Sequence, residues 1–243
     1  MSTRHPVAAI LFDLDGTLLD TAPDLVAAFN TSLAQEGLPC CSETEIKPYI
    51  SGGARAMLGY WLVKSVEQRP VHEFPQPNTP EVAHTDLFER LLSGMMAHYQ
   101  THLARDTRYF DGMEAVLDEL DARGLPWGIV TNKHSRFTDP LVRAFGLHQR
   151  SDAIISGDTL TECKPHPLPL QEACRRLDRD VRHSIYIGDA ARDIEAGRRA
   201  GMTTLAALYG YVAEGEDVAS WGADHVLNYP GELLDWIEDC NRI

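Results

Sequence analysis

The 243-residue sequence has no long apolar run, few cysteines and no surplus of positive charge. No apolar run approaches the ~18 residues that cross a membrane, so we expect no membrane partner. The five cysteines include no CxxC pair, which favours free thiols in the reducing cytoplasm. The first residues lack a signal-peptide pattern, because their short apolar stretch runs directly into acidic residues. These absences together predict a cytoplasmic protein.

Positive charge is scarce: 22 lysines and arginines stand against 36 acidic residues, for a net charge of -14. Nonspecific nucleic-acid binding requires a basic field that neutralises phosphates, so we expect no nucleic-acid partner. An acidic protein that acts on an anionic substrate must supply positive charge locally. That charge has to come from a metal ion, a lysine or an arginine close to the reacting groups.

Short apolar runs predict the strands of a parallel sheet. From residue 111 onward these runs alternate with helical patterns, which predicts an α/β fold with a doubly wound parallel sheet and helices on both faces. Right-handed crossovers would bring the carboxyl ends of the strands to one edge, where sites in such folds usually lie. The predicted strands are 7–12, 127–131, 153–156, 184–188, 203–208 and, with a weaker pattern, 223–227.

The segment between the first two predicted strands is far too long for one crossover helix. Much of it has helical periodicity, so we predict a helical cap domain over residues 20–105. Residues 1–19 and 106–243 would then form the core, and the cap would act as a lid at its active edge. Within the cap, the proline-rich stretch 69–84 predicts a loop.

Two aspartates follow the first predicted strand in the sequence ILFDLDGT. With a period of two, Asp13 and Asp15 lie on the same side of the chain. Gly16 permits a sharp turn there, and Thr17 offers a hydroxyl and an amide. Two close carboxylates can divide their work, one remaining ionised while the other carries a proton. A capped turn after a strand would explain the pair equally well if it stood alone.

Three other strand ends carry polar groups of useful types. Thr131 and Asn132 stand at a predicted helix start, where anions bind well. Lys164 lies in a loop before a proline, and Asp189 follows a strand with Asp193 one helical turn later. Each of these has an ordinary structural interpretation alone, as a solvated lysine or a helix cap. Four strand ends together indicate a site.

These motifs stand in the order found in the haloacid dehalogenase-like phosphatases, which the sequence resembles over nearly its full length. The resemblance is carried by DxDGT (13–17), Thr131, Lys164 with Pro165, and GDxxxD (188–193). It implies a Rossmann-like core with a helical cap. It also implies a Mg²⁺-dependent phosphomonoesterase that works through an aspartyl phosphate.

The same resemblance implies roles for individual residues. Asp13 would be the nucleophile, and Asp15 would exchange the proton with the leaving group and the hydrolytic water. Thr131 and Lys164 would hold the phosphate oxygens, with Gly16, Thr17 and Asn132 as further substrate-binding residues. The implied Mg²⁺ ligands are Asp13, the main-chain carbonyl of Asp15, Asp189 and Asp193.

The predicted cap contains the stretch ISGGARAM (50–57). Gly52 and Gly53 would bring the backbone close to a ligand, and Arg55 would bind a substrate carboxylate; an ordinary helix start with a solvated arginine is the alternative. Together with LLDTAPD after the nucleophile, this stretch resembles phosphoglycolate phosphatases. It also resembles their bacterial relatives that act on N-acetylmuramic acid 6-phosphate. The expected substrate is therefore a small phosphate ester that bears a carboxylate.

Two other functions fit parts of the pattern. A phosphosugar mutase retains all four motifs and differs mainly in its cap. A receiver-type signalling domain also surrounds a phosphorylated aspartate with acids, a threonine and a lysine. In a receiver domain, however, that aspartate belongs on a middle strand, and the domain needs no large lid.

The expected assembly is a monomer or a homodimer.

Overall fold

The computed structural model describes residues 7–67, 86–151 and 153–241, so the predicted loop 69–84 lies outside the described residues. The chain divides into two compact units. One comprises Met1–Asp20 and Arg108–Ile243, and the other comprises Thr21–Thr107. The second unit is thus an insertion into the first, between two segments of the chain that belong together.

The first unit is built on a six-stranded sheet in which every strand pair is parallel, in the order β5-β4-β1-β6-β7-β8. Strands β2 and β3 pair antiparallel with each other, where the chain leaves this unit and returns to it. The sheet confirms the predicted α/β class with a doubly wound parallel sheet. The strands are β1 (Ala9–Phe12), β2 (Leu19–Asp20), β3 (Arg108–Tyr109), β4 (Trp127–Val130), β5 (Ala153–Ile155), β6 (Ser184–Gly188), β7 (Thr203–Ala207) and β8 (His225–Leu227).

The described helices fall into two groups, those of the inserted unit and those that pack on the sheet. Helices α1 to α4 belong to the insertion, and α5 to α9 belong to the sheet unit. The helices are α1 (Ala22–Gln35), α2 (Glu43–Ile46), α3 (Ala54–Leu62), α4 (Asp86–His102), α5 (Met113–Ala122), α6 (Ser135–Ala144), α7 (Leu168–Arg176), α8 (Ala191–Ala200) and α9 (Glu232–Asn241). Single-turn helices occur at Lys47–Tyr49, Val63–Glu67, Leu147–Gln149, Val181–His183 and Val218–Trp221.

Strands β1, β4 and β6 are buried along their whole length. A parallel sheet covered by helices on both faces needs apolar residues at successive positions, and AILF, WGIV and SIYIG supply them. Leu11, Val130 and Tyr186 pack in one core cluster beneath α7 and α8. The strands begin or end up to two residues inside the predicted runs.

All the regular secondary structure in the described part of the inserted unit is helical. The helices are interrupted at SGG: α3 begins after Gly53, whose φ of 82° suits glycine. Upstream, Ser42 and Glu45 form a capping box at the start of α2. The unit closes on Asp24, whose buried carboxylate accepts hydrogen bonds from three consecutive main-chain amides, 105 to 107, at 2.8–3.1 Å.

Within the described part of the chain, no helix combines the length and the apolar character that crossing a membrane requires.

Candidate active site

Residues that follow β1, β4 and β6 gather at one edge of the sheet. These three strands are neighbours, and parallel register brings their carboxyl ends together. Asp13 directly follows β1, Thr131 directly follows β4 and Asp189 directly follows β6. All three are buried, as are Lys164 and Asp193. The sheet topology therefore places five of the predicted residues in one buried cluster.

Lys164 occupies the centre of this cluster. Its Nζ lies 2.8 Å from Asp13 Oδ1 and 2.8 Å from Asp193 Oδ1, and it donates to the hydroxyl of Tyr186 at 2.7 Å. The Tyr186 hydroxyl in turn donates to the carbonyl of Val130 at 3.0 Å. An ammonium has three donors, and here each has an acceptor. The side chain is fully buried, so these contacts fix its position.

Burial raises the pKa of Asp13 to about 6, from an ordinary value of 3.8. Lys164 opposes this rise and Asp193 adds to it. The Asp13 Oδ1 atom also accepts a hydrogen bond from the amide of Leu14 at 2.7 Å. The carboxyl group is thus held by two donors through one oxygen, in surroundings that disfavour its charge.

The carboxylates of Asp13, Asp189 and Asp193 lie close enough to hold one metal ion, since one oxygen from each falls within 4.8 Å of the others. All three are buried and all offer hard oxygen ligands. Like charges at this separation repel strongly in a buried site. The donor set therefore fits a divalent cation such as Mg²⁺.

Two glycines allow the turn after β1 and the loop after β7 to approach Asp189. A Cβ on Gly16 would overlap Asp189 Oδ2, and Gly16 also has a φ of 82°. A Cβ on Gly210 would overlap the carbonyl oxygen of Gly16. The amide of Tyr211 donates to Asp189 Oδ2 at 2.9 Å. This close backbone packing orients the carboxylate.

Thr131 and Asn132 occupy the loop after β4. The Thr131 Oγ1 accepts a hydrogen bond from the amide of Lys133 at 3.1 Å. The Asn132 side chain bonds to the main chain of Lys164 through both its oxygen and its nitrogen. Its amide group thus fixes the lysine, and a substrate-binding role would fall to its main chain. Thr17 is buried, and its Oγ1 has no hydrogen-bond partner among the residues the structure describes.

Asp15 pairs with Lys133, a residue outside the predicted site. The Nζ of Lys133 lies 2.8 Å from Asp15 Oδ1. The two aspartates of the DxD pair therefore each have their own lysine, Asp13 with Lys164 and Asp15 with Lys133.

The predicted substrate residues of the inserted unit lie at the start of α3. Gly52 and Gly53 donate their amides to the carbonyls of Tyr49 and Ile50, within the preceding turn. Arg55 is half-exposed, lies 3.7 Å from a carboxylate oxygen of Glu89 and stacks over an aromatic ring. Binding of a substrate by these three residues stays a prediction.

Sequence reasoning missed several residues that hold the site. Tyr186 lies inside a buried strand and has the sequence pattern of a core residue. Arg192 precedes Asp193; burial acts to lower its pKa, but Asp193 and Asp13 raise it overall. Lys133 had a usable signal, a basic residue in a strand-end loop beside Thr131. Lys133, Lys164 and Arg192 supply the local positive charge that an acidic protein needs.

Comparison with known proteins agrees with this geometry. The chain is 39% identical over 241 residues to an N-acetylmuramic acid 6-phosphate phosphatase of Pseudomonas aeruginosa, covering 98% of this chain and 99% of the relative. It is 40% identical over 229 residues to a phosphoglycolate phosphatase of Xanthomonas campestris, covering 93% and 95%. A crystal structure described as a predicted phosphoglycolate phosphatase of Haemophilus somnus matches with a TM-score of 0.78 at 27% identity, covering 94% and 97%.

The family model for haloacid dehalogenase-like hydrolases matches residues 10–207. This range runs from β1 to the end of β7 and includes every residue of the buried cluster. The resemblance carried by the four motifs is thereby confirmed, and the chain belongs to the haloacid dehalogenase-like hydrolase family.

Proposed function

We propose that this hydrolase is a Mg²⁺-dependent phosphomonoesterase that forms an aspartyl phosphate on Asp13. The observation that carries the proposal is the buried ammonium of Lys164, 2.8 Å from both Asp13 and Asp193. A cation fixed against a carboxylate nucleophile suits an attack on an anionic phosphate, because it offsets the repulsion between the two. The phosphatase relatives support the same reaction.

In the first step, Asp13 attacks the phosphorus of the ester. Both described contacts of its carboxylate use Oδ1, so we assign the attack to Oδ2. The bond between phosphorus and the ester oxygen breaks, and its electron pair leaves on that oxygen. Asp15 gives its proton to the oxygen, which departs as an alcohol. Lys164 and Thr131 hold the phosphoryl oxygens, whose charge is spread over the group in a loose transition state.

In the second step, a water molecule attacks the phosphorus of the aspartyl phosphate. The Asp15 carboxylate takes a proton from that water. The bond between phosphorus and the Asp13 oxygen breaks, and its electron pair returns to the Asp13 carboxylate. Inorganic phosphate leaves, and Asp15 is again protonated for the next cycle.

Mg²⁺ would be held by the carboxylates of Asp13, Asp189 and Asp193, with the main-chain carbonyl of Asp15 as a further ligand. When bound, the ion would neutralise charge on the carboxylates and on the phosphoryl oxygens. Its preference for hard oxygen ligands agrees with the donor set. Gly16 and Gly210 let the backbone close around Asp189.

The substrate we propose is a small phosphate ester that carries a carboxylate. Phosphoglycolate and N-acetylmuramic acid 6-phosphate both have this group, and relatives of nearly equal identity carry either name. Arg55 would bind the carboxylate from the inserted unit, which we propose acts as a lid. N-acetylmuramic acid 6-phosphate is the second candidate, favoured by two relatives at 39–40% identity.

Phosphate release from a small panel tests the proposed function. The panel comprises phosphoglycolate, N-acetylmuramic acid 6-phosphate, glucose 1-phosphate and p-nitrophenyl phosphate, each with Mg²⁺ and with EDTA. We expect Mg²⁺-dependent release, with the highest kcat/KM on one of the two carboxylate-bearing esters. Arg55→Ala should lower that value and leave p-nitrophenyl phosphate unaffected. Equal losses on both kinds of substrate would refute the carboxylate role, and an inactive panel would refute the phosphatase.

A further inference from the structure

Lys133 forms a second, separate ion pair at the same edge of the sheet. Its Nζ lies 2.8 Å from Asp15 Oδ1, and the side chains of Lys133 and Asp15 are only 9% and 15% exposed. An ion pair this well shielded is far less screened by water than a surface pair. The contact therefore constrains the orientation of the Asp15 carboxylate.

The main chain of Lys133 is itself anchored. Its amide donates to Thr131 Oγ1 at 3.1 Å. Its carbonyl accepts from the amide of Gly157 at 2.8 Å and from the hydroxyl of Thr138 at 3.1 Å. A Cβ on Gly157 would overlap the carbonyl group of Asn132, so the two loops meet at backbone contact distance. The main chain that carries the Lys133 ammonium is thus held in place by these contacts.

We propose that Lys133 is a positioning residue that acts through Asp15, an inference that rests on the proposed function. The ammonium donates to Oδ1 of Asp15 and holds the carboxyl group in one orientation. This assigns Oδ2 as the oxygen that gives its proton to the leaving group and takes one from the hydrolytic water. Small errors in the position of a proton-transfer group lower rates by about 10²-fold. The anchored loop would prevent such errors by holding Asp15 in one orientation.

Two other roles for Lys133 make different predictions for p-nitrophenyl phosphate. Its leaving group departs without a proton and it has no carboxylate. A lysine that bound the phosphoryl group would be needed to form the aspartyl phosphate from this substrate. A lysine that bound a substrate carboxylate would not be needed at all. A lysine that positions Asp15 would be needed only for the second step, hydrolysis of the aspartyl phosphate.

The test is a steady-state and rapid-quench study of the full-length Lys133→Met variant on p-nitrophenyl phosphate with Mg²⁺. We expect kcat to fall by about 10- to 100-fold. KM should fall in proportion, so that kcat/KM, which reports steps up to p-nitrophenolate release, changes by less than about threefold. A burst of p-nitrophenolate should accompany phosphoryl enzyme that mass spectrometry locates on Asp13.

Four variants complete the design. Asp15→Asn should show the same burst, and Asp15→Asn with Lys133→Met should lower kcat no further, because both changes remove one function. Lys47→Met serves as the control, because Lys47 is a partly exposed lysine of the inserted unit that pairs with Glu43. If the Lys133→Met variant does not fold, the same measurement is made on Lys133→Gln.

An equal fall in kcat and kcat/KM would overturn the proposal in favour of direct phosphate binding. An unchanged kcat would also overturn it. In both cases the proposed phosphatase function would stand, because the wild-type enzyme would still turn over the substrate. A wild-type protein that neither forms phosphoryl enzyme nor releases phosphate would refute the function as well.

Discussion

Asn132 holds the main chain of Lys164 at two points. Its Oδ1 accepts from the Lys164 amide at 3.0 Å, and its Nδ2 donates to the Lys164 carbonyl at 2.9 Å. The side chain of one strand-end loop thereby fixes the loop that carries the central cation. The position of that cation against Asp13 therefore depends on a neutral residue. Among its described contacts, the Asn132 side chain bonds to neither the Asp13 nor the Asp193 carboxylate.

Replacing Asn132 by alanine removes both bonds and should displace the Lys164 ammonium. We expect kcat for phosphate release to fall by about 10- to 100-fold, because the cation no longer lies against the reacting oxygens. Steady-state kinetics on p-nitrophenyl phosphate measure this loss. Asn228→Ala is the matched control, since Asn228 bonds only to Glu232 among its described side-chain contacts. Equal kinetics for the two variants would contradict the role of Asn132.

Replacing Tyr186 by phenylalanine removes a buried hydroxyl that accepts from Lys164 and donates to Val130. Both partners are buried, so each loses a bond that water cannot easily replace. We expect the free energy of unfolding to fall by about 1–3 kcal/mol, together with a lower kcat. Urea denaturation measures the first effect. Tyr229→Phe, at an exposed tyrosine, should leave stability unchanged; a similar result for Tyr186→Phe would count against the network.

Replacing Asp13 by asparagine should stabilise the metal-free protein, and more so as the pH rises. Burial raises the pKa of Asp13 to about 6, so the folded wild type binds a proton that the unfolded chain has released above its ordinary value of 3.8. The free energy of unfolding of the wild type therefore falls as the pH rises from about 4 to about 6, by at most about 3 kcal/mol. Asparagine carries no charge and escapes this loss.

Denaturation in EDTA at several pH values compares Asp13→Asn with the wild type. The two stabilities should converge near pH 4 and separate by pH 7, with the variant more stable. A difference that does not change with pH, or that grows as the pH falls, would show that burial does not disfavour the charged carboxyl.

Mg²⁺ should stabilise the wild type and not the Asp189→Asn variant. The variant keeps an oxygen that accepts from the Tyr211 amide but loses a charged ligand. At a Mg²⁺ concentration about 100 times the Kd, binding adds about 2.7 kcal/mol to the wild type. Thermal denaturation with and without Mg²⁺ measures the shift in Tm, and the exposed Asp139→Asn should respond like the wild type. An undiminished shift for Asp189→Asn would place the metal elsewhere.

Replacing Gly210 by alanine should force the loop after β7 away from the turn after β1. The new Cβ would overlap the Gly16 carbonyl and the Asp189 side chain, and neither can move freely. We expect a loss of about 1–3 kcal/mol in stability and a weaker Mg²⁺-dependent rise in Tm. In the control Gly231→Ala, the nearest atom is 3.3 Å away on the exposed Tyr229 ring. Matching results for both variants would refute the close approach.

Much of the fold was predictable because its strands are continuous apolar runs that end in polar residues. The sequence alone places Asp13, Lys164 and Asp189 at one edge, since the carboxyl ends of parallel strands share that edge. The contacts of Tyr186 were not predictable. A tyrosine in a buried strand packs like a phenylalanine, and only the neighbouring strand shows what its hydroxyl meets.

The pairing of Asp15 with Lys133 was also not predictable from the sequence. Lys133 follows two residues with clear anion-binding character, yet its chain separation from Asp15 carries no signal about contact. The same holds for Gly210, whose need to be glycine comes from a main-chain oxygen on a distant turn. Contacts of this kind follow from three-dimensional packing. The hydrophobic periodicity and the composition of the sequence do not reveal them.

The central claim is that Asp13 receives the phosphoryl group. The most direct measurement is acid quenching of the wild-type protein during turnover of p-nitrophenyl phosphate with Mg²⁺, followed by peptide mass spectrometry. The account predicts one phosphoryl group on Asp13, absent in Asp13→Asn, which should also release no phosphate. Steady release of phosphate by Asp13→Asn, or a phosphoryl group on any other residue, would contradict it.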